Sequence, residues 1–416
     1  MTSLNQQGRS KEELLAALTT KRARDARWQD GRTFGMVYDG GPEVHAVAEA
    51  VAKMYLHENA LNTIAFPSLG EIQSEVCSWT AALFHGETAA GFMTSGGTES
   101  ILCAVKAARE RAKAERGITA PEIVLAETAH AAFHKAAYYF GFQVHKVKVR
   151  DDFRADVEAM ADCVNANTAL VVGSAPQYPQ GVIDPIPDLA QLALSVGASM
   201  HVDACMGGFV LPFMEQLGFD VLPWDFRVEG VTTISADIHK LGYAPKGASV
   251  ILHANKQLRQ YQTFMFDQWL GGFYASPNIQ GTRSGLPMAC AWAVMQHLGI
   301  EGYQRLTKLT IDTRATMVAG VRAIDGLMVL GEPEAQLVAI ATRPHSDLDV
   351  FAVGDALNRR GGWFHDRQTP PDTLHATVSA GNAPVIDLYL EDLAASVAEV
   401  QGLRAENRST SYATLE

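Results

Sequence analysis

Between residues 90 and 252 the chain repeats one unit, an apolar run of strand length followed by a stretch of helical periodicity. The runs fall at 90–94, 122–126, 143–149, 169–174, 199–202, 230–235 and 248–252; helices are predicted over 99–115, 132–139, 154–165, 187–195 and 212–217. Runs this continuously apolar need cover on both faces, and strands running in one direction need crossovers of helical length. The alternation therefore predicts an α/β fold with a mostly parallel sheet and helices on both sides. Ligands of open α/β sheets sit outside the carboxyl ends of the strands, so the polar residues that follow each run are the candidates for chemistry.

The flanks read differently. Residues 10–60 show helical spacing, with Leu14, Leu15, Leu18 and then Val44, Val47, Val51 and Met54, broken by a turn at Gly40-Gly41-Pro42; a further helix covers 69–84. After Gly281-Thr282-Arg283-Ser284-Gly285 come a long helix over 287–323, strands at 327–330 and 336–341, a helix over 350–359, a strand at 373–379 and a closing helix over 384–401. The expected organisation is an N-terminal helical segment (1–85), a large cofactor-binding domain (86–300), a small C-terminal α+β domain (301–405) and a mobile tail (406–416). Beyond that alternation of strand and helix there is no internal sequence repeat, and there is no long low-complexity linker.

Composition narrows the function classes. A formal net charge of −12 without a basic stripe argues against a nucleic-acid partner, and the densest basic group, Lys21, Arg22, Arg24 and Arg27, reads as a solvated helix face. The five cysteines have no CxxC spacing, which fits a reducing compartment. The first ten residues carry no apolar leader, and no apolar run reaches the roughly 18 residues of a membrane span. A cytoplasmic protein is expected.

Three strand ends carry complementary groups. Lys240, in Ser235-Ala236-Asp237-Ile238-His239-Lys240-Leu241-Gly242, is an amine that could condense with an aldehyde. Asp203, in His201-Val202-Asp203-Ala204, is a carboxylate followed by small residues that let a flat ring approach. In Thr94-Ser95-Gly96-Gly97-Thr98-Glu99-Ser100 a Gly-Gly turn opens a helix whose backbone N–H groups face an anion. Amine, carboxylate and anion turn are the three handles of pyridoxal 5'-phosphate: its aldehyde, its pyridinium nitrogen and its phosphate. His239 can contact the phosphate, and His130, in Thr128-Ala129-His130-Ala131-Ala132-Phe133, can stack on the ring.

With these motifs the chain resembles the sphingosine-1-phosphate lyases, in the group II decarboxylase branch of fold-type I pyridoxal-phosphate enzymes. The likeness extends over about 34–402 and includes Ser174-Ala175-Pro176-Gln177, Gly181-Val182-Ile183-Asp184-Pro185, the stretch 235–247 and the stretch 271–283. The resemblance implies that Lys240 is the Schiff-base lysine, that Asp203 binds the pyridinium nitrogen, that His130 stacks, and that Gly97, Thr98 and His239 hold the phosphate. It implies a homodimer with shared active sites, in which the loop bearing Ser276, Gly281 and Thr282 reaches the partner's cofactor. The implied reaction is retro-aldol cleavage of a phosphorylated long-chain amino alcohol to a fatty aldehyde and phosphoethanolamine, with Lys240 reprotonating C2. The base for the substrate hydroxyl is left among Tyr38, Lys246 and the cofactor phosphate.

Relatives bind the substrate phosphate through a tyrosine matching Tyr38, a lysine matching Lys246 and a histidine whose position is Asn62 here; asparagine keeps a hydrogen bond but not a charge. Gln180 stands where animal relatives have histidine. The membrane-spanning segment of the animal enzymes is not expected, and no metal is. The alternative activity is amino-acid decarboxylation on the same fold; a non-catalytic binding module is disfavoured by the retention of Lys240, Asp203 and the turn.

Overall fold

The computed structural model describes residues 4–405, 408–410 and 412. Its large sheet contains β1 (Ala90–Thr94), β2 (Glu122–Ala126), β3 (Gln143–Val147), β4 (Thr168–Ser174), β5 (Ser199–Asp203), β6 (Val231–Ala236) and β7 (Ser249–His253). Their spatial order is β1-β7-β6-β5-β4-β2-β3. β7 is antiparallel to both β1 and β6, and the remaining pairings are parallel, as the alternating pattern requires. Successive side chains on a strand point to opposite faces, and both faces are covered. Ile123, Leu125, Leu170 and Val172 pack with Ile101 and Leu102 of the helix Gly97–Arg116, while Val124 and Val171 join a core with Ile186 and Leu189 of the helix Ile186–Ser195.

One edge of this sheet collects the ends of β1, β2, β4, β5 and β6, so the loops after residues 94, 126, 174, 203 and 236 open on the same side. β7 begins at that edge because it runs the other way, which brings Ser249 beside the loop after β6.

An exposed hairpin, β8 (Phe264–Phe266) with β9 (Tyr274–Ser276), follows. The helix Gly285–Ala323 is broken at Gly299, which has φ 54° and ψ −172°. The expected helix over 154–165 shrinks to Val157–Ala161, where Asp156 caps its start by accepting from Ala159 N at 3.0 Å. A second, antiparallel sheet contains β10 (Leu327–Leu330), β11 (Leu337–Thr342), β12 (Asp366–Gln368) and β13 (Thr373–Thr377), in the order β10-β11-β13-β12. The helices Val350–Gly361 and Ile386–Glu399 share its core.

The N-terminal segment divides between the two cores. The helices Pro42–Met54 and Pro67–Leu83 supply Val44, Leu69 and Val76 to the core of the large sheet. Phe34 is buried with Trp363 and Tyr389 in the core of the second sheet; its N–H donates to Phe364 O at 3.0 Å and its carbonyl accepts from Thr377 N at 3.1 Å. Truncating Phe34 would cost about 3–5 kcal/mol. The chain leaves this anchor and reaches Tyr38 four residues later.

Candidate active site

The loops at the shared edge enclose a cavity of about 340 Å³ lined by Gly97, Thr98, His130, Asp203, His239 and Lys240 among others. Asp203 is the last residue of β5, where the apolar run ends; its Oδ1 accepts from Cys205 N at 3.0 Å and from Ser235 Oγ at 3.4 Å. Ser235 Oγ also lies 3.1 Å from His201 Nε2, whose Nδ1 is 2.8 Å from Thr233 Oγ1. Burial drives the His201 imidazole down to about 4, so the carboxylate sits on a neutral support.

The helix Gly97–Arg116 has no side-chain cap at its start, although a helix leaves its first N–H groups without internal partners. A Cβ added at Gly97 would lie 2.7 Å from Cys205 Sγ and 2.9 Å from Asp237 Oδ2, so only glycine leaves this corner open. His239 stands beside it: its Nδ1 accepts from Ala248 N at 3.3 Å, which puts the ring proton on Nε2. Burial lowers its pKa to about 4, opposed by Asp237. Open N–H groups, a glycine corner and a neutral imidazole N–H form a donor set that fits a phosphate.

Glu99, in the first turn of that helix, is buried. Its Oε2 accepts from Ser95 N at 2.7 Å, and its Oε1 accepts from Ile279 N at 3.0 Å and Gln280 N at 3.1 Å. His130 Nδ1 accepts from Ala132 N at 3.1 Å, which fixes the ring, and burial lowers its pKa.

Lys240 Nζ is 2.9 Å from Asp237 Oδ2, and Ser249 Oγ donates to Asp237 Oδ1. Burial alone would depress the Lys240 ammonium. The buried Asp237 carboxylate outweighs it, with smaller contributions from Cys205 and Tyr38, and the net shift is upward. The resting amine is therefore charged, contrary to the neutral amine that desolvation suggests for this lysine.

Lys246 Nζ donates to His239 O at 2.8 Å and lies 4.7 Å from the centroid of the Tyr38 ring. Partial desolvation, followed by repulsion from Lys240, lowers its pKa to about 8. Burial raises the Tyr38 phenol to about 12, with nearby Lys240 opposing. These two groups stand near the cavity but do not line it.

Four expected site residues are not brought to Lys240 within this chain. Asn62 is exposed, and its Oδ1 accepts from Ile64 N at 2.9 Å and Ala65 N at 3.4 Å in a local turn. Ser276, Gly281 and Thr282 lie on or after β9, outside the cavity lining. Conversely, Asp237, Tyr178, Cys205 and Tyr412 line the cavity and were not singled out. Asp237 carried a signal, a carboxylate ending an apolar strand three residues before the lysine; Tyr412 carried none.

The amine, the carboxylate, the His130 imidazole and the open helix end all fit pyridoxal 5'-phosphate. In comparison with known proteins, residues 15–343 match the model described as the pyridoxal-dependent decarboxylase conserved domain. The chain is 43% identical over 398 residues to a sphingosine-1-phosphate lyase of Arabidopsis thaliana, covering 94% of this chain and 72% of that protein. It is 40% identical over 402 residues to sphingosine-1-phosphate lyase 1 of Rattus norvegicus, covering 96% and 70%. The solved structure of a sphingosine-1-phosphate lyase from Burkholderia pseudomallei superposes with a TM-score of 0.91 at 39% identity, covering 96% of this chain and 92% of that one.

Proposed function

The chain belongs to the pyridoxal-dependent decarboxylase family, in its sphingosine-1-phosphate lyase branch, and from that premise we propose how it works as a pyridoxal-phosphate-dependent carbon–carbon lyase. Its substrate is a phosphorylated long-chain amino alcohol such as sphingosine 1-phosphate, cleaved to a fatty aldehyde and phosphoethanolamine. The observation that carries the lyase reading over an amino-acid decarboxylase is the identity to sphingosine-1-phosphate lyases, 43% over nearly the whole chain.

In this proposal Lys240 would bond the cofactor's aldehyde carbon, Asp203 would hold its ring nitrogen, His130 would stack on its ring, and Gly97, Thr98 and His239 would hold its phosphate. When bound, pyridoxal phosphate supplies an electron sink conjugated with the substrate nitrogen. The chain supplies the proton traffic. Lys240 has to lose a proton before its nitrogen can bond carbon, and the Asp237 carboxylate at 2.9 Å opposes that loss, so the proton has to leave to solvent as the cofactor enters. Cleavage of C2–C3 would pass the C3 hydroxyl proton to the cofactor phosphate, the candidate base left when Tyr38 donates and Lys246 is a cation, and would require a new proton on C2. Lys240, taking a proton from the substrate ammonium when that amine replaces it on the cofactor, would be the acid that delivers it. With its phenol raised to about 12, Tyr38 acts at neutral pH as a hydrogen-bond donor rather than a base. Lys246 is the cation for the substrate phosphate, and Asn62 adds a neutral hydrogen bond.

The loop bearing Ser276, Gly281 and Thr282 serves the partner's site in a homodimer. Support comes from the exposed apolar surface beside it, where Trp269, Leu270 and Phe273 are uncovered in the single chain. Among the described residues no helix is long and apolar enough to cross a membrane, and the cysteines are free; we place the enzyme in the cytoplasm.

The test is a product assay with cofactor-loaded protein. Fatty aldehyde and phosphoethanolamine in equal amounts from sphingosine 1-phosphate are expected. No aldehyde, together with carbon dioxide release from an amino-acid panel, would establish the decarboxylase instead.

A further inference from the structure

The chain's last described residue forms part of the active-site wall. Tyr412 lines both the Lys240 cavity and a neighbouring cavity of about 540 Å³, and His130 and Tyr178 line both as well. The Tyr412 ring centroid is 5.3 Å from that of His130 and 5.5 Å from that of Tyr178, nearly perpendicular to each. The second cavity has an apolar side formed by Val149, Phe153, Pro179, Pro370 and Pro371, and a polar side that carries Glu127, Lys146, Asp366 and Arg367. Tyr412 is itself half exposed, and its fastening lies four residues back.

Arg408 Nη1 donates to Asp349 Oδ2 at 2.5 Å, and its Nη2 donates to Asp372 Oδ2. Its guanidinium carbon lies 5.2 Å from the centroid of the Phe351 ring. Asp349 is a buried carboxylate with other duties: Oδ1 caps the helix Val350–Gly361 through Phe351 N at 3.0 Å, and Oδ2 also accepts from Ala405 N at 3.1 Å. An isolated surface ion pair would hold little. Here one carboxylate is buried, the fork bridges two acids, and an aromatic face supports it, a combination that suits arginine and not lysine.

We propose that Arg408 is a positioning residue: it straps this segment to the body so that Tyr412 completes the rim shared by the two cavities, the second of which takes the apolar chain of the substrate. This rests on the lyase reading for the identity of that chain, while the strap itself rests on Arg408 and Tyr412 alone. With the strap released, the rim opens, contacts with a long chain are lost, and those with a short one are not.

The experiment compares wild-type, R408A, R408K, Y412A and R408A/Y412A holoenzymes by two readouts. The first is kcat/KM for a long-chain against a short-chain phosphorylated amino alcohol. The second is the rate at which borohydride bleaches the bound cofactor, which needs no substrate and so separates failure of the strap from failure of the lyase reading. We expect R408A to lower the long-to-short ratio and raise the bleaching rate, each by roughly tenfold, as for residues coupled in one network. R408K should recover part of both, and R408A/Y412A should be no worse than Y412A. An unchanged ratio and bleaching rate in R408A, or losses that add in the double variant, would overturn the proposal. If R408A does not fold, D372N removes only the more exposed anchor and must shift both readouts in the same direction.

Discussion

Lys240 and Asp237 occupy one turn and form an ion pair of 2.9 Å, so the chain stores the amine in its protonated form beside the carboxylate that holds the proton on it. Without the carboxylate, burial would govern the amine and push its pKa down. Capture of the cofactor by the free protein needs neutral amine, so it speeds up as pH rises towards the raised pKa of Lys240. In D237N the rise should begin at lower pH. Stopped-flow appearance of the cofactor's visible band across pH 6–10 measures this, and coincident profiles for the two proteins would show that the pair does not control the amine.

Gly97 is the position where a single methyl group should matter most. The new Cβ of G97A would crowd Cys205 Sγ and Asp237 Oδ2, both attached to the buried walls of the cavity. We expect a folded protein whose dissociation constant for pyridoxal phosphate rises roughly tenfold or more. Equilibrium titration of the cofactor-free protein decides it; an unchanged constant would mean that the walls can yield.

Lys246 should give substrate binding a pH dependence. A lysine lowered to about 8 loses its proton as pH rises through that value, so KM for a phosphorylated substrate should climb between pH 7 and 9. K246R keeps its charge over that range and should flatten the climb. A KM that varies equally in both enzymes would assign the pH dependence to another group.

Asn62 is the proposed neutral contact to the substrate phosphate, so a charge introduced there is a direct test. N62H should lower KM for the phosphorylated substrate severalfold below about pH 6.5, where imidazole is charged, with little gain above it. Because Asn62 Oδ1 also closes a turn onto Ile64 N, thermal denaturation of the variant should be followed in parallel. An equal gain at pH 6 and pH 8 would argue against a charge effect.

The strands of the large sheet were legible because continuous apolar runs leave few alternatives, and β1, β2 and β10 begin and end where the pattern predicted. The hairpin β8–β9 was not: β8 is exposed along its length and β9 is a three-residue strand with no fully buried side chain, so neither has the apolar run that marks a strand. Lys240, Asp203 and the Gly-Gly turn could be picked out because each follows an apolar run. The charge state of Lys240 could not, because it depends on Asp237 being buried against it. Tyr412 lay beyond reach for another reason: its place is set by Arg408 meeting Asp349 and Asp372, three residues with no common local pattern.

Glu99 divides its two oxygens between the turn at Ser95 and the loop at Ile279 and Gln280. A planar carboxylate cannot follow one without pulling on the other, so these two segments form a single lever with its pivot in the first turn of a buried helix. A load on the turn at Ser95 is therefore carried to the loop at Ile279 and Gln280 by one side chain.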